Sequence, residues 1–170
     1  MVYRDKIKEL NELANIVSDI KKNGKMVSMC HGCFDLIHPG HISQFKKSKE
    51  LGDYLVVSIT GDRYIKKGPH RPFYNENIRA EILSSLIPID FVIIDQNASS
   101  ASLLDALKPD FYVKGGDYAH SNDFALKMEK EAVERHGGKI VFLDLVDDGL
   151  TGKYSSTQLV EKIIESFEKP

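Results

Sequence analysis

The chain is short of three things, and each shortage excludes a class of function. Its charges nearly cancel: 23 Lys and Arg stand against 25 Asp and Glu, a formal net charge of -2. Such a balance gives nucleic acid or an anionic membrane no bulk electrostatic hold. No apolar run is long enough to span a bilayer. The opening residues Met1-Val2-Tyr3-Arg4-Asp5-Lys6 are charged where a secretory signal would be apolar. These absences predict a cytoplasmic protein with no nucleic-acid and no membrane partner. Cysteine is the third shortage. Cys30 and Cys33 form a single C-x-x-C, with no second pair and no His-x-x-x-His to complete a zinc site. His31 lies between them rather than after them, unlike a haem attachment site. A buried thiol at a strand end and a small turn residue is the simplest reading of the pair, with redox chemistry as its rival.

What remains is ordinary for a soluble domain, with 42% apolar and 28% charged residues in a 170-residue chain. That length can bury a real core. There are no internal repeats, no low-complexity tract and no linker. The expectation is one domain over residues 1–170, with an N-terminal amphipathic helix in residues 1–23 and an α/β core in residues 24–170.

Periodicity orders the rest. Apolar positions Ile7, Leu10, Ala14, Val17 and Ile20 mark one face of a helix over residues 4–22, expected to cover the sheet edge and stopped by Asn23-Gly24. Residues 25–30 read as a strand. Pro39 suits the first turn of a helix that runs to Leu51. Residues 54–60 are a β-branched run typical of a strand buried on both faces. Asn75 caps a helix whose expected apolar face is Ile78, Ile82, Leu83 and Leu86. Residues 91–94, 111–113 and 140–143 are three more strands, with helices over 99–107 and 123–136 between them. Gly137-Gly138 ends the second of these. A last helix carries Leu159, Val160, Ile163, Ile164 and Phe167 on one face. Strands alternating with helices predict a doubly wound, parallel five-stranded sheet with right-handed crossovers.

In such sheets ligands bind beyond the carboxyl ends of the strands. Four unusual stretches fall at that edge. Gly32-Cys33-Phe34-Asp35-Leu36-Ile37-His38-Pro39-Gly40-His41 follows strand one. A loop bearing Lys66, Lys67 and Arg71 follows strand two. Lys114-Gly115-Gly116-Asp117-Tyr118 follows strand four, and Ser155-Ser156-Thr157 comes after strand five. His38 and His41 are three apart at a helix start, so they share a side. Gly40 lets a ligand approach the backbone, and the free N–H groups there favour an anion. Two histidines with a helix N-terminus suit a polyphosphate. A metal site is weaker, since it needs a third ligand. Lys66 and Lys67 can close over phosphates, and Arg79 either reaches the same edge or stands as a surface helix charge. Gly115 and Gly116 admit a planar base, with Asp117 and Tyr118 to bond or stack on it. Ser155, Ser156 and Thr157 can cap their helix and bind phosphate there.

The ten-residue stretch resembles the G-x-F-D-x-x-H-x-G-H signature of the cytidylyltransferase-like nucleotidyltransferases of the HIGH-motif superfamily. The resemblance continues through Leu51-Gly52-Asp53-Tyr54-Leu55-Val56-Val57, Lys67-Gly68-Pro69-His70-Arg71-Pro72, Arg79, Lys108-Pro109-Asp110, Lys114-Gly115-Gly116-Asp117-Tyr118 and Ser155-Ser156-Thr157. Within the superfamily, the Lys-Gly-Gly-Asp-Tyr run and the loop around Arg71 are most similar to the nucleotidyltransferase domains of ADP-heptose synthases.

The resemblance implies a Rossmann-like fold and a reaction. A nucleoside triphosphate and a sugar phosphate give a nucleotide sugar and pyrophosphate, for surface-polysaccharide precursors. His38 and His41 would stabilise the transition state, with Lys67 or Lys66 neutralising the β- and γ-phosphates and Arg79 assisting. Gly32, Cys33, Phe34, Asp35 and Gly40 would line the nucleotide, Asp35 alternatively shaping the turn. Lys114, Gly115, Gly116, Asp117 and Tyr118 would form the nucleoside pocket, helped by Ser155, Ser156 and Thr157. Asp62 and Arg71 would meet the acceptor. Magnesium would arrive with the triphosphate, held mainly by the substrate, with no protein side chain assigned to it. The partners implied are ATP or CTP, a sugar or polyol phosphate, a second copy in a homodimer, and a fused or separate sugar kinase.

Two departures from relatives stand out. Glycerol-phosphate cytidylyltransferases carry an arginine in the run before the last helix. Here that run is Asp148-Gly149-Leu150-Thr151-Gly152-Lys153-Tyr154, with Lys153 the available cation. Cys33 sits where many relatives have threonine. A cytidylyltransferase acting on a polyol or amino-alcohol phosphate is the alternative, and a non-catalytic nucleotide-binding module is the rival from another class.

Overall fold

Strand β1 (Val27–Gly32) is the centre of a five-stranded sheet in the computed structural model of the chain, which describes residues 3–119, 121–143 and 155–168 and, at Asp117 and Glu168, the backbone alone. The other strands are β2 (Tyr54–Thr60), β3 (Phe91–Asp95), β4 (Phe111–Gly115) and β5 (Lys139–Leu143). The order is β3-β2-β1-β4-β5 and every pairing is parallel. The chain therefore steps outward from β1 to β3, crosses back past β1 and steps outward again. The reversal lies between β1 and β4, where this architecture places its ligands. Residues 144–154, including Lys153, lie outside the described residues.

The period-two alternation of the strands builds two cores. On one face Val27 and Met29 of β1, Val56 of β2, Ile93 of β3 and Tyr112 of β4 pack with three helices. These are α1 (Leu10–Lys22), α4 (Ala101–Leu107) and α5 (Phe124–Arg135). On the other face Cys30, Leu55, Val57, Ile59, Val92 and Val113 pack with Phe45 of α2 (Pro39–Leu51) and with Ala80 and Leu83 of α3 (Glu76–Ser84). Leu13, Leu55, Ile59, Leu83 and Leu104 are wholly buried. Each such side chain contributes roughly 1.5–3 kcal/mol of hydrophobic stabilisation. The last helix is α6 (Ser156–Glu168). Among the described residues no helix is long and apolar enough to cross a membrane.

Several expected boundaries move. The N-terminal helix starts at Leu10, not residue 4, and Tyr3–Lys6 is a short 3-10 turn. Ile7 bridges to Val92, and Lys8 N donates to Val92 O at 2.9 Å, so the outer edge of β3 takes up this segment. The edge is thus covered by residues 7–8, while α1 lies on the sheet face through Leu13 and Val17. Strand β1 starts two residues later than expected. The Asp110 carboxylate accepts from Val27 N, and His31 and Gly32 stay in register with Ser58 and Ile59. α4 begins at Ala101 rather than residue 99 and ends at Leu107, with Lys108 left-handed (φ 51°) after it and before Pro109. β2 and α2 run as the sequence predicts, and Asn75 caps α3 by accepting from Ile78 N at 3.0 Å.

Candidate active site

The turn after β1 brings His38 and His41 together. His38 is the extended N-cap residue of α2, Pro39 opens the helix, and His41 N donates to His38 O at 2.9 Å. The two imidazoles stack, with ring centroids 3.7 Å apart and planes inclined by 27°. Phe34 meets the edge of His41 and of Phe45, each at 5.2 Å between centroids. Phe34 is buried and left-handed (φ 49°), a backbone state that costs a non-glycine residue of order 1 kcal/mol or more. A Cβ on Gly32 would stand 2.9 Å from the Phe34 ring, so glycine is what lets the ring fold back.

The histidine pair is chemically incomplete. Both Nδ1 atoms are buried without a hydrogen-bond partner among the described residues. Burial pushes His41 down to about 3, aided by the neighbouring His38 and Lys67 and opposed by the Leu36 backbone. Burial and Lys67 lower His38 as well. Near neutral pH both rings are uncharged N–H donors rather than cations or bases. The charge of Lys67 is felt at His38, His41 and Cys33, which puts its exposed side chain beside the pair. Lys66 is also exposed.

Beneath them lies a web of ion pairs. Asp35 is buried and accepts from Arg71 Nε at 2.6 Å and from Phe73 N at 2.7 Å. It shapes the turn, with no oxygen turned to a ligand. Arg71 also donates to Ser156 Oγ at 3.4 Å, so one side chain ties together the first turn, the loop after β2 and the start of α6. Arg79 corrects the expected face of α3. Ile78 is 43% exposed while Arg79 is wholly buried, with Ala80, Leu83 and Ser84. Its guanidinium donates to Tyr74 O, Cys33 O, Thr60 O and Asp62 Oδ1, the last at 2.6 Å. It is neither a surface charge nor a hand free for phosphate, and Asp62 is committed to it and to Glu76 N.

The remaining stretches are split. Ser155 caps α6 reciprocally with Gln158: Gln158 N donates to Ser155 Oγ and Ser155 N to Gln158 Oε1, both at 3.2 Å. Ser156 is buried and Thr157 exposed. Gly115 ends β4, and residues 116–118 form a 3-10 turn that leaves Tyr118 43% exposed. Lys114, expected to line the nucleoside pocket, has its ammonium engaged elsewhere. It pairs with Glu129 Oε2 at 2.8 Å, nearly buried, and stands 5.0 and 5.3 Å from the ring centres of Tyr112 and Tyr118. Burial raises the Glu129 carboxyl, but Lys114 and the hydrogen bonds it accepts outweigh that and leave it lowered. Ser100 and Tyr112 complete the network at 2.8 and 3.0 Å from Glu129. Cys30 is buried beside Ser48, its thiol pushed up to about 12 by burial, and Cys33 is raised the same way, so neither offers a ready thiolate.

Sequence reasoning missed His31, Thr60, Asp95 and Glu129. Three of them sit in strands, where alternation on one face was their only signal. Among the described residues no three His, Cys, Asp or Glu side chains gather as a metal cluster. The nearby carboxylates Asp35 and Asp62 are taken by arginines, a setting that fits a cation carried by substrate phosphates.

An all-parallel sheet whose carboxyl edge presents a histidine pair, an exposed lysine and two glycine-bearing turns is the α/β architecture that places ligands at that edge. The chain belongs to the cytidylyltransferase-like family, whose model matches residues 29–162. It is 37% identical over 169 residues to the Bifunctional protein HldE of Syntrophotalea carbinolica, covering 98% of this chain and 33% of that one. It is 40% identical to the protein of the same name from Geotalea uraniireducens, covering 93% and 31%. The chain thus spans about a third of the length of these curated relatives. Among solved structures it resembles the lipopolysaccharide core biosynthesis protein of Thermoplasma volcanium, with a TM-score of 0.62, 29% identity, and 73% of this chain and 100% of that one covered. The pantoate-beta-alanine ligase of Francisella tularensis shares the fold, with a TM-score of 0.58 at 19% identity over 96% of this chain and 79% of that one.

Proposed function

We propose that this chain joins ATP to a sugar 1-phosphate, a heptose 1-phosphate in the first instance, releasing pyrophosphate. The observation that carries the reading is the stacked His38–His41 pair with bare Nδ1 atoms at the start of α2. The sugar phosphate is already ionised near neutral pH, so it attacks the α-phosphorus without a general base. A bond forms from its oxygen to the α-phosphorus as the α–β bridging bond breaks. Catalysis is then positioning and stabilisation of developing charge. His38 and His41 donate N–H groups to the α-phosphate oxygens. Lys67, with Lys66, neutralises the departing β- and γ-phosphates. Asp35, Arg71, Asp62 and Arg79 hold the turns that present them. Gly115, Gly116, Asp117 and Tyr118 take the nucleoside, and the α6 start, residues 155–157, faces the phosphates.

Magnesium bound to the triphosphate would supply further charge neutralisation, held by the substrate's own oxygens. The finer surroundings belong to the same proposal: a cytoplasmic enzyme, a homodimer, and a sugar kinase, fused or separate, that supplies the sugar 1-phosphate. The bifunctional relatives support the kinase, and the similarity to a lipopolysaccharide core biosynthesis protein supports the sugar substrate. Pyrophosphate release, measured with ATP and with CTP across sugar and polyol phosphates, tests it. Turnover with ATP and a sugar 1-phosphate is expected; turnover restricted to CTP and glycerol 3-phosphate overturns it.

A further inference from the structure

A second polar row crosses the sheet on the face opposite α2. His31 of β1 pairs in register with Ser58 of β2, and Thr60 of β2 with Asp95 of β3. The imidazole of His31 bridges the two hydroxyls, with Nδ1 2.9 Å from Ser58 Oγ and Nε2 3.2 Å from Thr60 Oγ1. Burial pushes His31 down to about 4, so the ring is neutral and gives one proton to one hydroxyl while accepting from the other. His31 and Thr60 are half-buried, so the row opens to solvent at its middle.

Asp95 closes the row and is incomplete. The residue is 2% exposed. Its Oδ1 accepts from the backbone N and Nδ2 of Asn97, at 3.1 and 2.8 Å. Its Oδ2 is buried with no hydrogen-bond partner among the described residues. A buried carboxylate oxygen without a donor is costly and is rarely kept without a reason. Residues 96–98, which follow it at the carboxyl end of β3, are exposed.

We propose that Asp95 and Thr60 form the hydroxyl-reading wall of the acceptor pocket, with Asp95 Oδ2 accepting from a ring hydroxyl of the sugar phosphate. This rests on the function proposed above. His31 positions Thr60 and touches no substrate. The carboxylate and the hydroxyl lie on the β1–β2–β3 side of the histidine turn, and the glycine turn after β4 lies on the other. Acceptor and nucleoside therefore lie on opposite sides of β1, which leaves the acceptor oxygen free to enter opposite the departing pyrophosphate, as in-line displacement needs. A carboxylate that accepts from a hydroxyl favours a polyhydroxylated acceptor over one lacking that group, since loss of the hydroxyl leaves the buried oxygen unpaired again.

The test uses the full chain and steady-state kinetics with ATP. Wild type is first assayed with sugar phosphates and with a series of singly deoxygenated analogues. Asp95→Ala and Asp95→Asn are then compared with it. The expected result is an acceptor KM raised about tenfold or more, an ATP KM within about twofold, and one deoxy analogue that wild type discriminates against but Asp95→Ala does not. Thr60→Val provides the same comparison should Asp95→Ala fail to fold. An unchanged acceptor KM in a folded variant, whatever its melting temperature, overturns the inference and leaves the proposed function standing. A wild type that uses no sugar phosphate overturns the proposed function, and this inference with it.

Discussion

His31 and His41 are ten residues apart, both half-buried and both held neutral, yet they are built for opposite ends. His31 has a hydroxyl on each ring nitrogen and lies in a strand whose register fixes it. His41 stacks on a second imidazole, and the Nδ1 atoms of both rings have no partner among the described residues. The same loss of water lowers the proton affinity of each. Only the bonding distinguishes them. A satisfied imidazole stiffens the sheet, whereas an unsatisfied pair at a helix start waits for an anion. Arg79 and Lys67 repeat the contrast. The first is buried with four acceptors, and the second is exposed with its field on the histidines.

The strongest way to break this contrast is to exchange the consequences of losing each side chain. His41→Ala should lower kcat by about 10²–10³-fold, the usual effect of removing one preorganised donor, with unfolding changed little. Steady-state turnover beside a thermal melt measures both, and undiminished kcat would remove His41 from the chemistry. Arg79→Met should do the reverse in kind. It strips a buried guanidinium from four acceptors and leaves Asp62 unpaired, and should destabilise by about 3–5 kcal/mol in denaturant unfolding. A stable Arg79→Met protein with lost activity would instead make Arg79 a phosphate ligand.

Acid sharpens the comparison next. His31 is pushed down to about 4 and His41 to about 3, while an unfolded histidine titrates near 6.5. Below about pH 6.5 the unfolded chain binds protons that the folded one refuses. This stability is therefore complete above 6.5 and is lost as pH falls towards 4 and then 3, at about 3 kcal/mol for His31. Saturating ATP should abolish the His41 share by raising its affinity for protons, and leave the His31 share untouched. Calorimetry in buffers of different ionisation heat should then show proton uptake on ATP binding below pH 6. No uptake would mean that phosphate does not reach the pair. The smallest effect belongs to Cys33, which touches the site without a thiolate to offer. Cys33→Thr should stay within about twofold of wild-type kcat/KM, a change of under 1 kcal/mol.

Much of this was legible beforehand. The β-branched run of β2, the Pro39–Leu51 helix and the histidine turn announce themselves because their determinants are local: alternation, a first-turn proline, a spacing of three. The carboxyl-edge convergence followed from strand–helix alternation alone. What stayed hidden depends on partners distant in sequence. Arg79 looks like a helix charge until Cys33 O and Thr60 O close on it. Lys114 looks like part of a nucleoside pocket until Glu129, far along the chain, takes its ammonium. Asp95 looks like the polar end of a strand, and only burial reveals its unpaired oxygen. Periodicity registers which residues avoid water, and it cannot register which polar groups have been bonded out of it.

Arg71 gives the molecule a further property. Its guanidinium joins Asp35 below the histidines to Ser156 at the head of α6, so three loops drawn from distant parts of the chain share a single knot. Loops joined this way are thermodynamically linked: whatever shifts one alters the free energy of the others by the same amount in both directions. A molecule that settles on α6 and one that settles between His38 and His41 are therefore not strangers. Each sets the terms on which the other binds, and the sign of that exchange can be read by titrating either in the presence of its counterpart.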